Sequence, residues 1–80
     1  MSVLAAEPLK MRQLIERSNK VFMDLAYISR VPEGTWQNWA KGKHTPRIKP
    51  YQLPGIVKAL GCTQEEFFEA CREIDDALNK

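Results

Sequence analysis

Two tryptophans three residues apart, Trp36 and Trp39, constrain this chain more than any other feature. With Ala40 they recur at i, i+3 and i+4, which places three apolar side chains on one face of a helix. Pro32 suits the first turn of such a helix and Gly42 its end, so the sequence predicts a helix over 32–41. Its apolar face should be buried, with the tryptophans in the core. The opposite face carries only polar or small residues, namely Glu33, Gly34, Gln37, Asn38 and Lys41.

Apolar periodicity predicts four further helices and no strands. Ser18 or Asn19 is expected to cap the second helix, and the Thr63-x-x-Glu66 capping box to open the last. The predicted fold is an all-α, compact five-helix bundle in a single domain, residues 1–80. The expected helices are 8–17, 20–29, 32–41, one from near residue 54 or one turn earlier to 61, and 63–78.

Charge is distributed unevenly along the 80 residues, although the formal net charge is only +2. Residues 1–63 hold ten Lys and Arg against four Asp and Glu, whereas residues 64–80 hold two against six. This split predicts a basic surface that faces a polyanion and an acidic tail that points elsewhere.

The chain offers little chemistry for catalysis or for a metal. Cys62, Cys71 and the single histidine, His44, form no ligand set, and no nucleophile with a base or glycine-rich phosphate loop is present. The sequence therefore predicts no enzyme, no cofactor and no small-molecule substrate. It also shows no signal peptide and no membrane span, which predicts a cytoplasmic protein.

A helix with a buried apolar face and a free polar face, followed by a basic loop, is typical of DNA-binding domains. Glu33, Gln37 and Asn38 carry groups that can pair with base edges, and Gly34 lets the backbone come close to a partner. We expect Glu33, Gly34, Gln37 and Asn38 to read bases. The residues expected to contact the DNA backbone are Thr35, Lys41, Lys43, His44, Arg47 and Lys49.

The segment from Leu25 to Pro46 resembles the helix-turn-helix of phage lambda repressor and Cro-like regulators, the xenobiotic-response-element family. The similarity lies in Leu25-Ala26, Val31, Thr35-Trp36, Trp39, Gly42 and Pro46, and a looser one covers about residues 11–68. The resemblance implies a lambda-repressor-like fold whose third helix enters the major groove, usually as a dimer on a two-fold operator.

The chain departs from that family pattern at several positions. Val21 and Phe22 stand where the family usually has serine and glutamine, Arg30 where it has the glycine of the turn, and Ile15 where an arginine is frequent. The loop before the fourth helix is about two residues longer than usual. These differences concern DNA docking more than the fold.

The last helix carries an apolar stripe, Phe67, Cys71, Ile74 and Leu78, that Phe68 widens. Cys71 is most simply a buried, unreactive thiol on this stripe. Because the stripe exceeds what a small core needs, residues 68–80 are interpreted as a helical extension that pairs with a second copy in a homodimer. The predicted contact residues are Phe68, Cys71, Ile74 and Leu78.

The leading prediction is thus a sequence-specific regulator that binds double-stranded DNA, such as a small repressor or a phage or mobile-element switch protein. The alternative is a protein-interaction adaptor that has lost DNA binding, which Val21, Phe22 and Glu33 favour because each weakens attraction to phosphate. A recombination directionality factor is not separable from a repressor by sequence.

Overall fold

The computed structural model describes residues 9–79 and places five α-helices in that range, with no strand among them. The all-α prediction is confirmed. The helices are α1 (Lys10–Ser18), α2 (Phe22–Ser29), α3 (Glu33–Lys41), α4 (Leu53–Leu60) and α5 (Gln64–Leu78), and a short 3-10 turn (Pro50–Gln52) precedes α4. No helix in the described range is both long and apolar enough to cross a membrane.

All five helices contribute to one core. α2 packs chiefly on α4 and α3, while α1 packs on α5, α3 and α4. The predicted burial of both tryptophans is confirmed: their rings meet edge to face with centroids 5.0 Å apart, and Phe67 of α5 lies 6.2 Å from Trp39. The fully buried large side chains are Trp36, Phe67, Met11, Leu25, Ile56, Leu60 and Ile74.

The start of α2 differs from the sequence prediction. Neither Ser18 nor Asn19 caps it, because both complete the end of α1. Asn19 adopts the left-handed conformation with φ +63°, and the Ser18 hydroxyl accepts a hydrogen bond from the Lys20 N–H at 3.2 Å. α2 begins two residues later than expected, at Phe22, after Val21, which provides no side-chain cap.

The other boundaries lie close to their predicted positions. α3 begins at Glu33, directly after Pro32, and Gly42 ends it with φ +70°. The expected loop before α4 contains the 3-10 turn, and α4 starts at Leu53. The capping box of α5 is confirmed, since the Thr63 hydroxyl accepts from the Glu66 N–H at 3.1 Å. The expected start of α1 at Pro8 lies outside the described residues.

Three acidic residues of α5 bind α1, which gives the acidic tail a structural role. Arg17 pairs with Glu66 through two contacts of 2.9 and 3.2 Å, and Glu73 accepts from the Lys10 N–H at 2.6 Å. The Lys10 ammonium lies 3.4 Å from Glu69. The Arg17 guanidinium lowers the pKa of the Glu66 carboxyl to about 2. Lys10 and Arg17 are therefore partly neutralised within the domain.

Candidate nucleic-acid interface

A buried serine fixes α3 to the helix before it. The Ser29 hydroxyl, at the end of α2, accepts from the Trp36 indole N–H at 3.0 Å and from the Val31 N–H at 3.2 Å, and it donates to the Leu25 carbonyl at 2.6 Å. One side chain thus joins α2, the connecting turn and α3. Ser29 is not among the residues predicted from the sequence, although a buried indole N–H requires an acceptor nearby.

The turn between α2 and α3 is short and strained at one residue. Arg30 adopts the left-handed conformation with φ +64°, a backbone region that residues other than glycine and asparagine rarely occupy. Its N–H bonds the Ala26 carbonyl at 2.8 Å, and the next residue, Val31, is buried. Arg30 therefore has a backbone conformation that glycine adopts more readily.

The face of α3 opposite the tryptophans is accessible. Glu33, Gly34 and Gln37 are exposed, whereas Asn38 is partly buried. A Cβ atom built on Gly34 would meet no protein atom within 4 Å outside its own helix and chain neighbours. No internal packing therefore requires a glycine at this position.

The predicted backbone-contact residues do not form one continuous cluster. Thr35, His44 and Arg47 share an open depression of about 500 Å³ beside the end of α5, whereas Lys41 lines a separate groove on the other side of α3. Lys43 and Lys49 are exposed, and the Lys49 ammonium lies 5.9 Å from the centre of the Tyr51 ring. The structure thus divides these residues between two sides of α3.

An acid enters the basic loop from elsewhere in the chain. Residues 41–49 contain no Asp or Glu, but the Thr45 hydroxyl donates to the Asp75 carboxylate at 3.1 Å, and Asp75 lines the depression that holds His44 and Arg47. This carboxylate reduces the positive potential at that end. Among residues 9–79, Lys41, Lys43, Arg47 and Lys49 have no acidic side chain within 4.0 Å.

The predicted dimer residues are only partly accessible. Ile74 is 1% exposed and belongs to the core, so its assignment to a free surface is wrong: α5 uses that position to pack on the bundle. Cys71 is half-buried, and burial raises the pKa of its thiol to about 11, which keeps it protonated at neutral pH. Phe68 and Leu78 remain, at 50% and 49% exposed.

The described residues contain no group of three or more His, Cys, Asp or Glu placed to hold a metal ion. Comparison of the chain with protein-family models, with curated proteins and with solved structures gives no match. The candidate interface is accordingly defined by its own geometry: a firmly packed helix, a polar outer face and cations on both sides.

Proposed function

We propose that this protein is a sequence-specific regulator that binds double-stranded DNA by inserting α3 into the major groove. The supporting observation is the construction of α3, in which Trp36 and Trp39 are buried while Glu33, Gly34 and Gln37 on the other side are exposed. A helix held rigidly by its apolar face can keep side chains at fixed positions against base edges. The resemblance of residues 25–46 to Cro-like helix-turn-helix domains supports the same function.

In this proposal the outer face of α3 reads the bases, and residues on both sides of it contact the DNA backbone. Glu33, Gln37 and Asn38 read base edges, Gln37 with access to adenine and Glu33 to the amine of cytosine. Thr35, Lys41, Lys43, His44, Arg47 and Lys49 contact the DNA backbone and set the register of the helix in the groove. Such binding would repress transcription by excluding polymerase from the occupied site.

The proposed operator has two-fold symmetry and is read by a homodimer. Two copies of α3 about 34 Å apart would contact half-sites one helical turn apart. With Ile74 in the core, the pairing surface on α5 is reduced to Phe68 and Leu78 with the edge of Cys71. So small a contact suits a dimer that assembles on DNA.

The direct test is selection of bound sequences from a random pool of DNA duplexes by the full chain. We expect enrichment of one sequence motif, present as two inverted copies with a fixed spacing. Binding to that site should weaken steeply with salt, since cations on the protein displace counterions from phosphates. A pool that shows no enrichment, together with no binding to any duplex at low salt, would refute the proposal.

A protein-interaction adaptor remains the second candidate, and one observation favours it. α2 and its N-terminal flank expose three large apolar side chains, Val21, Met23 and Tyr27, which are 65%, 69% and 86% exposed. Met23 and Tyr27, four residues apart, share one face of α2, and apolar side chains on one face can form a surface that a protein partner covers. The salt titration separates the two functions, because an adaptor of this kind would bind no duplex even at low salt.

Gln37 and Arg47 should respond differently to alanine. Gln37→Ala should cost about 1–3 kcal/mol on the selected site and relax the preference at one base pair, because a base-edge contact is lost. Arg47→Ala should weaken all duplexes about equally and reduce the steepness of the salt dependence. Asn38→Ala should resemble Gln37→Ala. Titrations of each variant on matched and mismatched duplexes measure this, and identical behaviour of both classes would show that the roles are misassigned.

Gly34→Ala should raise stability and lower DNA affinity. Alanine favours a helix, and a Cβ here meets open space, so the free energy of unfolding should rise by about 0.5 kcal/mol. On DNA the same Cβ would hold α3 away from the bases, and we expect about a tenfold loss, roughly the effect of one mismatched base pair. Thermal unfolding and duplex titration of one preparation measure both. Unchanged affinity would mean that the backbone does not approach DNA at Gly34.

A further inference from the structure

An open groove of about 600 Å³ runs along one side of α3, between that helix, α1 and the entry to α2. It contains two residues that the proposed function already uses, Gln37 and Lys41. Its remaining lining includes the apolar side chains Ile15, Val21, Phe22 and Ala40. The groove therefore forms an apolar surface directly beside the polar outer face of α3.

Val21 is the most accessible apolar side chain of this lining, because it is 65% exposed while Phe22 is partly buried against the core. Val21 precedes α2 in an extended conformation and makes no side-chain hydrogen bond to the helix. Serine, threonine, aspartate and asparagine are strongly preferred at such a position. Valine cannot make the capping hydrogen bond that these residues make, so it does not stabilise the start of α2 in that way.

The charges around the groove are mainly positive. Arg12, Lys20 and Lys41 line it, and the one acid in the lining, Glu16, is paired with Arg12 at 3.3 Å. An occupant should therefore combine a small apolar group with negative charge close by. A thymine in a duplex does so, since its C5-methyl projects into the major groove beside the phosphates of its own strand.

We propose that Val21, supported by Phe22 behind it, contacts the C5-methyl group of one thymine in each half-site, next to the base pair that Gln37 reads. Apolar contact with this methyl distinguishes thymine from cytosine without any hydrogen bond. The inference rests on the proposed function. In it, an apolar contact to a base takes the place of the polar contact that Val21 and Phe22 cannot make. Val21 is thereby a specificity-determining residue for the same site.

The test replaces single thymidines of the selected site with deoxyuridine, which keeps the base pair and its hydrogen-bonding edge but lacks the methyl group. The wild-type protein should bind about three- to fivefold more weakly when one particular thymidine of a half-site is replaced, as expected for loss of one buried methyl. Val21→Ser should bind the thymidine and deoxyuridine duplexes equally. It should also fold, because serine is a favourable cap for α2.

The matched control is Met23→Ser. Met23 is 69% exposed on α2, as apolar as Val21, and does not line the groove. This variant should keep the full preference for thymidine.

The inference is overturned if the duplex still binds but no deoxyuridine substitution weakens binding of the wild type. That result would leave the proposed function intact and assign the groove to a protein partner. It is also overturned if Val21→Ser retains the preference. Absence of any duplex binding would overturn the proposed function and this inference together.

Discussion

Replacing Trp36 with alanine should lower the free energy of unfolding by about 3–5 kcal/mol, the usual range for a large aromatic residue removed from a core. Trp36 is 0% exposed, packs against Trp39 and bonds Ser29, so the substitution removes an aromatic contact and a buried hydrogen bond together. Domains of about 80 residues have roughly 4–12 kcal/mol of stability, so much of the total would be lost. Thermal unfolding followed by far-ultraviolet circular dichroism measures the effect as a fall of tens of degrees in Tm.

Tyr27→Ala is the matched control, because Tyr27 is also an aromatic residue on a helix but is 86% exposed. Its effect on unfolding should stay within about 0.5 kcal/mol, as is usual for surface positions. If the two variants unfold at similar temperatures, the tryptophan pair is not part of the stabilising core. The interpretation of α3 as a rigidly anchored helix would then be untenable.

The helices and the core were predictable because both depend on local periodicity. Trp36, Trp39 and Ala40 repeat with the period of a helix, and so do the apolar residues of α4, so burial on one face follows from spacing alone. Gly42 and Thr63 mark helix ends through backbone chemistry that needs no tertiary information. The prediction was wrong at the start of α2, where Ser18 and Asn19 had two possible roles and the fold uses them to end α1.

The candidate interface was predictable only in part, because its surroundings come from distant parts of the chain. Asp75 reaches the basic loop across 30 residues of sequence through Thr45, and no local pattern indicates this. The apolar residue Ile74 could equally have served the core or a dimer, since periodicity identifies a face of α5 but not what covers it. The groove that brings Val21 beside Gln37 likewise exists only once α1, α2 and α3 are packed.

Replacing Ser29 with alanine should destabilise the domain by about 1–3 kcal/mol, a large effect for the loss of one oxygen atom. Ser29 is 4% exposed, and its hydroxyl is the acceptor for both the Trp36 indole and the Val31 N–H. Alanine would leave the buried indole N–H without its acceptor. Denaturant unfolding of the wild type and the variant measures the cost.

Ser18 provides a matched control, because it ends α1 in nearly the same way that Ser29 ends α2. Each hydroxyl donates to a carbonyl of the preceding turn, at 2.5 Å for Ser18 and 2.6 Å for Ser29, and accepts from the N–H two residues ahead at 3.2 Å. Only Ser29 adds a bond to an indole. Ser18→Ala should therefore cost clearly less than Ser29→Ala, and equal losses would mean that the indole bond contributes nothing.

A double-mutant cycle isolates that bond. Trp36→Phe keeps an aromatic ring but removes the N–H, so Ser29→Ala should cost about 1 kcal/mol less in this background than in the wild type.

The bond between Ser29 and Trp36 should also affect DNA binding. It joins the end of α2 to α3 and so fixes the orientation of the outer face of α3. If it sets that orientation, Ser29→Ala should weaken binding to the selected duplex at temperatures where the variant is fully folded, whereas Ser18→Ala should not.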